Sequence, residues 1–485
     1  MSEEKKVDEA KMDASVADKK SQDMEADPVA AKKVVGTKKE AAAKPAKKKG
    51  AKKKSKKPKH TMWTGERLAS ATSSALQAVM ATVRAEYNDP SICCAGEAGR
   101  MVIGVPVPFA FQYLTQNDVY PLGRMVQVVG TEGTCKSALC FEIARWFADS
   151  SGTAVLFENE TKYSPDFANS IMGYPDVIRR ETLGYVPCAS VDEWQERIQT
   201  VAGEFRTLMV GKDGKSGVGR TFPVLLILDS IMGKLSEESQ ANIEKAGAAG
   251  RAFPVEALMI NNWLKKFPQD IAEWPMAFMT VNHLKPQKAE GGFHMERHKA
   301  GGRSISFQET WELEMKRDKN AKISLVGDDN SFELSGLNLR IHCKKNSLGE
   351  TDRSIRASIL WQHALCPVTN KVRQFTKWDW PSAAVDVLLA YDKGKRKEMI
   401  NSVVDINAVT GKKFWSRRLG ISKENAVPQH DFGVALESDK DVIAELQPML
   451  GIKVRKKFQP GVDYLDQLEE LEAAIARETN VRADS

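Results

Sequence analysis

No stretch of this 485-residue chain approaches the ~20 consecutive apolar residues that a membrane-spanning helix needs. The first thirty residues lack the apolar centre of a secretory signal. The expectation is a chain with no membrane partner. Its seven cysteines form no C-x-x-C pair and keep no regular spacing, which argues against a disulfide framework or a zinc finger. A reducing compartment follows, cytoplasmic or nucleoid-associated. Acid is nearly missing between Ala31 and His60, where fourteen lysines face one glutamate, Glu40. That stretch carries +13 of a net +7, so the rest of the chain carries −6. It also lacks large apolar residues, so it cannot bury enough surface to fold. Such a tail is a tether for nucleic acid or another polyanion, or a targeting signal that would fit a nuclear-type compartment. The alternative is a merely solubilising tail.

What is present begins with Gly130-Thr131-Glu132-Gly133-Thr134-Cys135-Lys136-Ser137. The apolar run Met125–Val129 precedes it and a helix-like run, Ala138–Ala148, follows. Strand, loop and helix in that order are what a phosphate-binding loop requires. Loop and helix N–H groups would face the phosphates, Lys136 would reach the outer ones, and Ser137 would sit on Mg²⁺. Cys135 departs from the pattern, because glycine usually holds that position.

Thr153–Phe157 reads as a buried strand ending in Glu158-Asn159-Glu160. Val224–Leu228 reads as another, ending in Asp229-Ser230, and Met276–Val281 as a third, ending in Asn282-His283. Polar groups at successive strand ends mark one edge of an open α/β sheet, where ligands bind. Asp229 would join Ser137 on the Mg²⁺ side. Helix capping is the plain alternative for Asp229 and Glu160, and core packing for His283. Glu160 is preferred over Glu158 as the group that orients an attacking water.

With Pro121-Leu122-Gly123-Arg124, the phosphate loop, Leu156–Pro165, Leu228-Asp229-Ser230 and Ala300-Gly301-Gly302, the chain resembles a RecA-type recombinase over residues 110–361. In character it is most similar to the RecA-like recombinases of large tailed phages. The resemblance implies a RecA-like P-loop NTPase core, α/β with a mostly parallel central sheet. It implies ATP and Mg²⁺ as cofactors. It implies catalysis by Glu160, γ-phosphate sensing by His283 and adenine stacking on Phe167. It implies a basic residue offered to the neighbouring subunit's γ-phosphate, for which Lys344 and Lys345 are candidates; a solvated pair at a hairpin turn is the alternative.

Two long segments fit DNA-binding loops, 233–250 and 285–302. The second, with Arg303 just beyond it, offers Lys285, Lys288, Arg297, Lys299 and Arg303 to phosphates and Phe293 as a wedge between bases. Its histidines, His294 and His298, lie near His283, but no cysteine or acidic pair completes a zinc set.

The expected organisation is a Lys-rich tail (1–60), an N-terminal helical oligomerisation segment (61–109), the ATPase core (110–361) and a small α-rich C-terminal domain (362–485). An amphipathic pattern over Glu66–Tyr87 supplies the oligomerisation helix. Expected partners are single-stranded and duplex DNA and further copies of the chain in a helical homo-oligomer. Mediator and single-strand-binding proteins are open as further partners. The expected function is ATP-dependent pairing and strand exchange in DNA recombination and repair. Two alternatives stand beside it: a ring-type motor or regulatory ATPase on the same core, and a structural DNA-filament protein that has lost hydrolysis.

Overall fold

The computed structural model describes residues 78–80, 82–83, 102–172, 182–214, 216–231, 255–288, 295–299, 305–326, 333–365, 372–391, 394–409 and 413–484. The chain divides into two units, Met1–Met62 and Trp63–Ser485, and only the second is described here. The tail therefore lies outside the described residues. Of the expected oligomerisation helix, residues 78–80 and 82–83 are described, and they are helical.

The elements run β1 (Ile103–Pro106), α1 (Phe109–Thr115), β2 (Val119–Pro121), β3 (Met125–Gly130), α2 (Lys136–Asp149) and β4 (Thr153–Glu158). Then come α3 (Pro165–Met172), β5 (Leu183–Pro187), α4 (Val191–Val210), β6 (Val224–Asp229), α5 (Val255–Ile271), β7 (Met276–Lys288) and β8 (Met295–Lys299). A short α6 (Ile305–Gln308) leads to β9 (Trp311–Val326), β10 (Glu333–Asn346), β11 (Arg353–Leu365) and β12 (Val372–Trp378). The chain continues through α7 (Trp380–Leu389), α8 (Gly394–Val404), β13 (Asn407–Val409), β14 (Lys413–Trp415) and β15 (Val427–Pro428). It ends with α9 (Gln429–Ser438), α10 (Lys440–Met449), β16 (Lys456–Lys457) and α11 (Tyr464–Asp484).

The main sheet has the order β12-β11-β10-β9-β3-β7-β6-β4-β5, with β8 paired to β7. From β5 to β9 all neighbours are parallel. From β9 to β12 they form an antiparallel meander. The protein is thus α/β with a mixed sheet: the expected parallel pairing holds from β5 to β9, and an antiparallel meander is added beyond it. The difference is in the connections. Parallel neighbours need long crossovers, whereas the chain after Trp311 turns back repeatedly through short ones.

β3 lies between β7 and β9, in the interior of this sheet, and all six of its residues are buried. Its alternate side chains reach opposite faces. Val126 and Val128 join a core with α1, α2 and α7, while Met125 joins one with α4 and α5. On the second face Trp263 stacks on Phe267 at 4.3 Å, and both meet Phe278 edge-on.

The segment expected as a small α-rich C-terminal domain contributes side chains to this core. β12 extends the main sheet, and β16 pairs with β1. Trp378 and Trp380 stack at 5.2 Å against α2; Trp380 Nε1 donates to the buried Glu142 carboxylate at 2.8 Å. Asp379 caps α7 by accepting from the Ser382 N–H. Large apolar side chains spaced along a C-terminal segment are read as its own core or as part of another's with equal ease from sequence.

The segment after His283 also differs from the expected irregular loop. β7 continues to Lys288, and β8 folds back on it, pairing Leu284 with Lys299 and Lys288 with Met295. A two-stranded ribbon satisfies backbone groups that an open loop would leave to water.

Candidate functional site

The carboxyl ends of β3, β4 and β6 and the middle of β7 converge on one cavity of about 790 Å³. Its floor is the Glu132–Ser137 turn and the start of α2. Two glycines fit that turn for steric reasons. A Cβ on Gly130 would stand 2.7 Å from the Met315 carbonyl of β9, and Gly133 has φ of +69°. Cys135 also adopts the left-handed conformation, φ 58° and ψ 34°, just before α2. The departure from glycine noted in the sequence is therefore a strained position. Burial pushes the Cys135 thiol up, against the pull of Arg317 and Lys136.

Replacing Cys135 by glycine is expected to relieve about 1 kcal/mol of backbone strain. Thermal unfolding checks this. The expected result is a midpoint at or above the parent's; a lower one would give the thiol a stabilising role of its own.

Lys136 is buried, and its ammonium donates to the Gly130 carbonyl at 3.1 Å and the Thr131 carbonyl at 2.9 Å. Burial lowers its pKa, opposed by Asp229 and Glu160. Ser137 Oγ donates to Asp229 Oδ2 at 2.5 Å, joining the start of α2 to the end of β6. Burial raises the Asp229 pKa; the Ser137 hydrogen bond opposes that.

Glu158 and Glu160 have separate tasks. Glu158 is buried, and its Oε1 accepts the backbone N–H groups of Glu160 and Lys162 at 2.9 and 2.8 Å. It holds the turn after β4. Glu160 turns into the cavity. It accepts from Ser230 Oγ at 2.6 Å and Lys162 Nζ at 3.0 Å, and lies 3.0 Å from His283 Nε2. These contacts, His283 foremost, hold its carboxyl well below the usual range. Asn159 ties the two strand ends together, accepting from the Ser230 N–H at 3.0 Å and donating to the Ser230 carbonyl at 2.5 Å.

Phe167 lines the side of the cavity with Tyr163 and Phe141, its ring edge-on to Phe141 at 6.1 Å. Ile323, Leu337 and Trp361 of β9, β10 and β11 line the same cavity. An apolar slot thus adjoins a polar end that carries Lys136, Ser137, Asp229 and Glu160.

Lys344 and Lys345 do not enter the cavity. Lys344 pairs with Glu314 at 3.1 Å. Lys345 Nζ donates to the carbonyls of Ser306 and Glu309, both at 2.6 Å, and pins α6. Lys299 is also occupied. Its ammonium pairs with Glu312, donates to Ser306 Oγ at 2.9 Å, and lies 3.4 Å from Glu309 and Gln127. The side chains of Lys285, Lys288 and Arg297 lie outside the described residues, as do Phe293 and Arg303.

Sequence reasoning missed Ser230, Lys162 and Arg317. The first two adjoin named residues and could have been found as polar neighbours of strand ends. Arg317 sits in a strand remote in sequence, and no local signal marks it.

Among the described residues no cluster of three metal-ligating side chains occurs. Mg²⁺ does not need one: it keeps waters and takes one or two protein oxygens beside substrate phosphates. The Ser137 hydroxyl and Asp229 carboxylate fit that role. No family model matches the chain, and no curated protein matches it. Fold and site define an α/β protein with a mixed sheet and a cavity at its strand ends, lined by charged and aromatic side chains. No described helix is long and apolar enough to cross a membrane.

Proposed function

We propose that this chain is an ATP-dependent DNA recombinase of the RecA type, with a P-loop NTPase core, acting as a filament on single-stranded DNA. The observation that carries the nucleotide part is the Ser137–Asp229 bond beside Lys136, with Glu160 and His283 across the same cavity. Loop N–H groups and the start of α2 bind phosphate oxygens, and Lys136 neutralises their charge. Ser137 and Asp229 would hold Mg²⁺, which would supply charge neutralisation at the outer phosphates. Glu160 orients the attacking water. Because its carboxylate is a weak base here, positioning matters more than proton removal, as a loose phosphoryl-transfer transition state permits. His283 reports the outer phosphate to the β7–β8 ribbon that it precedes.

The DNA part rests on sequence: the Lys-rich tail, the basic composition of 285–303, and the resemblance over 110–361. The test is ATP turnover by the full chain with and without single-stranded DNA, with electron microscopy of the assembly. The expected result is DNA-stimulated hydrolysis on helical filaments. Closed rings would favour a motor, and DNA binding without turnover a structural filament protein.

A further inference from the structure

The cavity holds a cation from its own chain that the proposed scheme does not use. β9 runs parallel to β3 in the register Gly130–Met315. Two residues past that pair, Arg317 crosses above the phosphate-loop turn. Its Nε donates to the Gly133 carbonyl at 2.7 Å. The fit is close: a Cβ on Gly133 would stand 2.3 Å from an Arg317 terminal nitrogen. Arg317 lines the same cavity as Lys136, Ser137, Asp229 and Glu160. Among the described residues no carboxylate forms an ion pair with it. Its neighbours on β9 and β10 differ in this respect: Lys316 and Lys344 pair with Glu314, and Arg340 with Asp318.

Resting on the phosphate-loop reading, we propose that Arg317 is a phosphate-contacting catalytic residue acting in cis, on the nucleotide bound by its own subunit. One N–H of its five anchors the side chain to the loop, and the others remain for oxygen ligands. A planar fork held in place beforehand suits phosphate oxygens better than a flexible ammonium. It needs no neighbour to complete it. Lys344 and Lys345, which sequence offered for the neighbour's phosphate, are engaged within their own chain. The γ-phosphate of a nucleoside triphosphate is the group it would contact. In the reaction water oxygen bonds to that phosphorus, the bond to the bridging oxygen breaks, ADP leaves with the electron pair, and the water's protons pass to the phosphate product and to solvent. Arg317 stabilises the charge on the transferred group and takes no proton.

The experiment uses the full chain and the variants Arg317→Gln, Arg317→Lys and Lys136→Ala, with binding of ATP and ADP, steady-state hydrolysis and mixing. Arg317→Gln is expected to lower kcat by ~10²–10³, as loss of one positioned charge-stabilising donor does. It is expected to weaken ATP binding more than ADP binding, with an unchanged unfolding temperature. Arg317→Lys is expected to recover part of the rate. Equal loss of ATP and ADP binding, with no recovery in the lysine variant, would reduce Arg317 to a prop for the Gly133 carbonyl and overturn the proposal. Mixing Arg317→Gln with Lys136→Ala separates cis from trans. Each Lys136→Ala subunit still presents an intact Arg317 to its neighbours, so recovered turnover would overturn action in cis. If the parent binds no nucleotide, the phosphate-loop reading itself fails. If the parent binds and Lys136→Ala does not, while Arg317→Gln hydrolyses normally, only the present proposal fails.

Discussion

Glu160→Gln is expected to bind ATP like the parent and to hydrolyse it ~10²–10⁴ times more slowly. The amide keeps an oxygen for Ser230 Oγ and His283, so the turn should survive, while the negative charge that aligns water is lost. Lys136→Ala should fail at the earlier step, since it removes the ammonium that the loop holds through the Gly130 and Thr131 carbonyls. Glu158→Gln should be the mildest of the three, because an amide oxygen still accepts the N–H groups of Glu160 and Lys162. Equilibrium binding of ATP and single-turnover hydrolysis check all three. Parental turnover in Glu160→Gln would remove Glu160 from the mechanism. The pH dependence has a definite sign. The Glu160 carboxyl is held below its ordinary value of 4.5, so its stabilising contribution is complete above 4.5 and is lost as pH falls below it. Activity should therefore not decline through Glu160 protonation anywhere above that value.

Lys299→Met is expected to cost about 3 kcal/mol of stability, an effect on folding where sequence pointed to an effect on DNA. The ammonium sits over two carboxyls, Glu309 and Glu312, both buried, with Gln127 and Ser306 beside them. Removing the cation from a buried pair typically costs ~3–5 kcal/mol, and the partial exposure of Lys299 places it at the lower end. Burial, aided by Glu312, pushes the Glu309 carboxyl up to about 8. Folded Glu309 thus keeps a proton that the unfolded chain releases near 4.5. Its contribution to stability is complete below 4.5 and is lost as pH rises toward 8. Denaturant unfolding of parent and variant across that window checks both statements. A parental unfolding midpoint in Lys299→Met would return Lys299 to the surface cations. Tests of DNA contact through this segment are better made with Lys285, Lys288 and Arg297.

Much of the site was legible because its parts are local. Residues 130–137 carry their own glycines, lysine and hydroxyl, and each apolar run ends in the polar residue that the sheet edge presents. Strand periodicity and strand ends need only neighbours in sequence, so β3, β4 and β6 appear within a residue of the runs read for them. Alternation does not separate Glu158 from Glu160, which stand two residues apart and both line the cavity. Tertiary contacts do: Glu158 holds the N–H groups of Glu160 and Lys162, while Glu160 meets Ser230 and His283.

What tertiary structure alone decided is which distant groups share a cavity and which cations are already held. Arg317 reaches the Gly133 carbonyl only because β9 pairs with β3, a choice between strands nearly two hundred residues apart. Lys299, Lys344 and Lys345 look alike in sequence to any solvated lysine. Their ammonium groups are held by Glu312, by Glu314 and by the carbonyls around α6, which the packing of β8, β9, β10 and α6 brings into reach. A charge is visible in sequence, but its counter-charge is set by strand order, and strand order depends on pairings that no local pattern encodes.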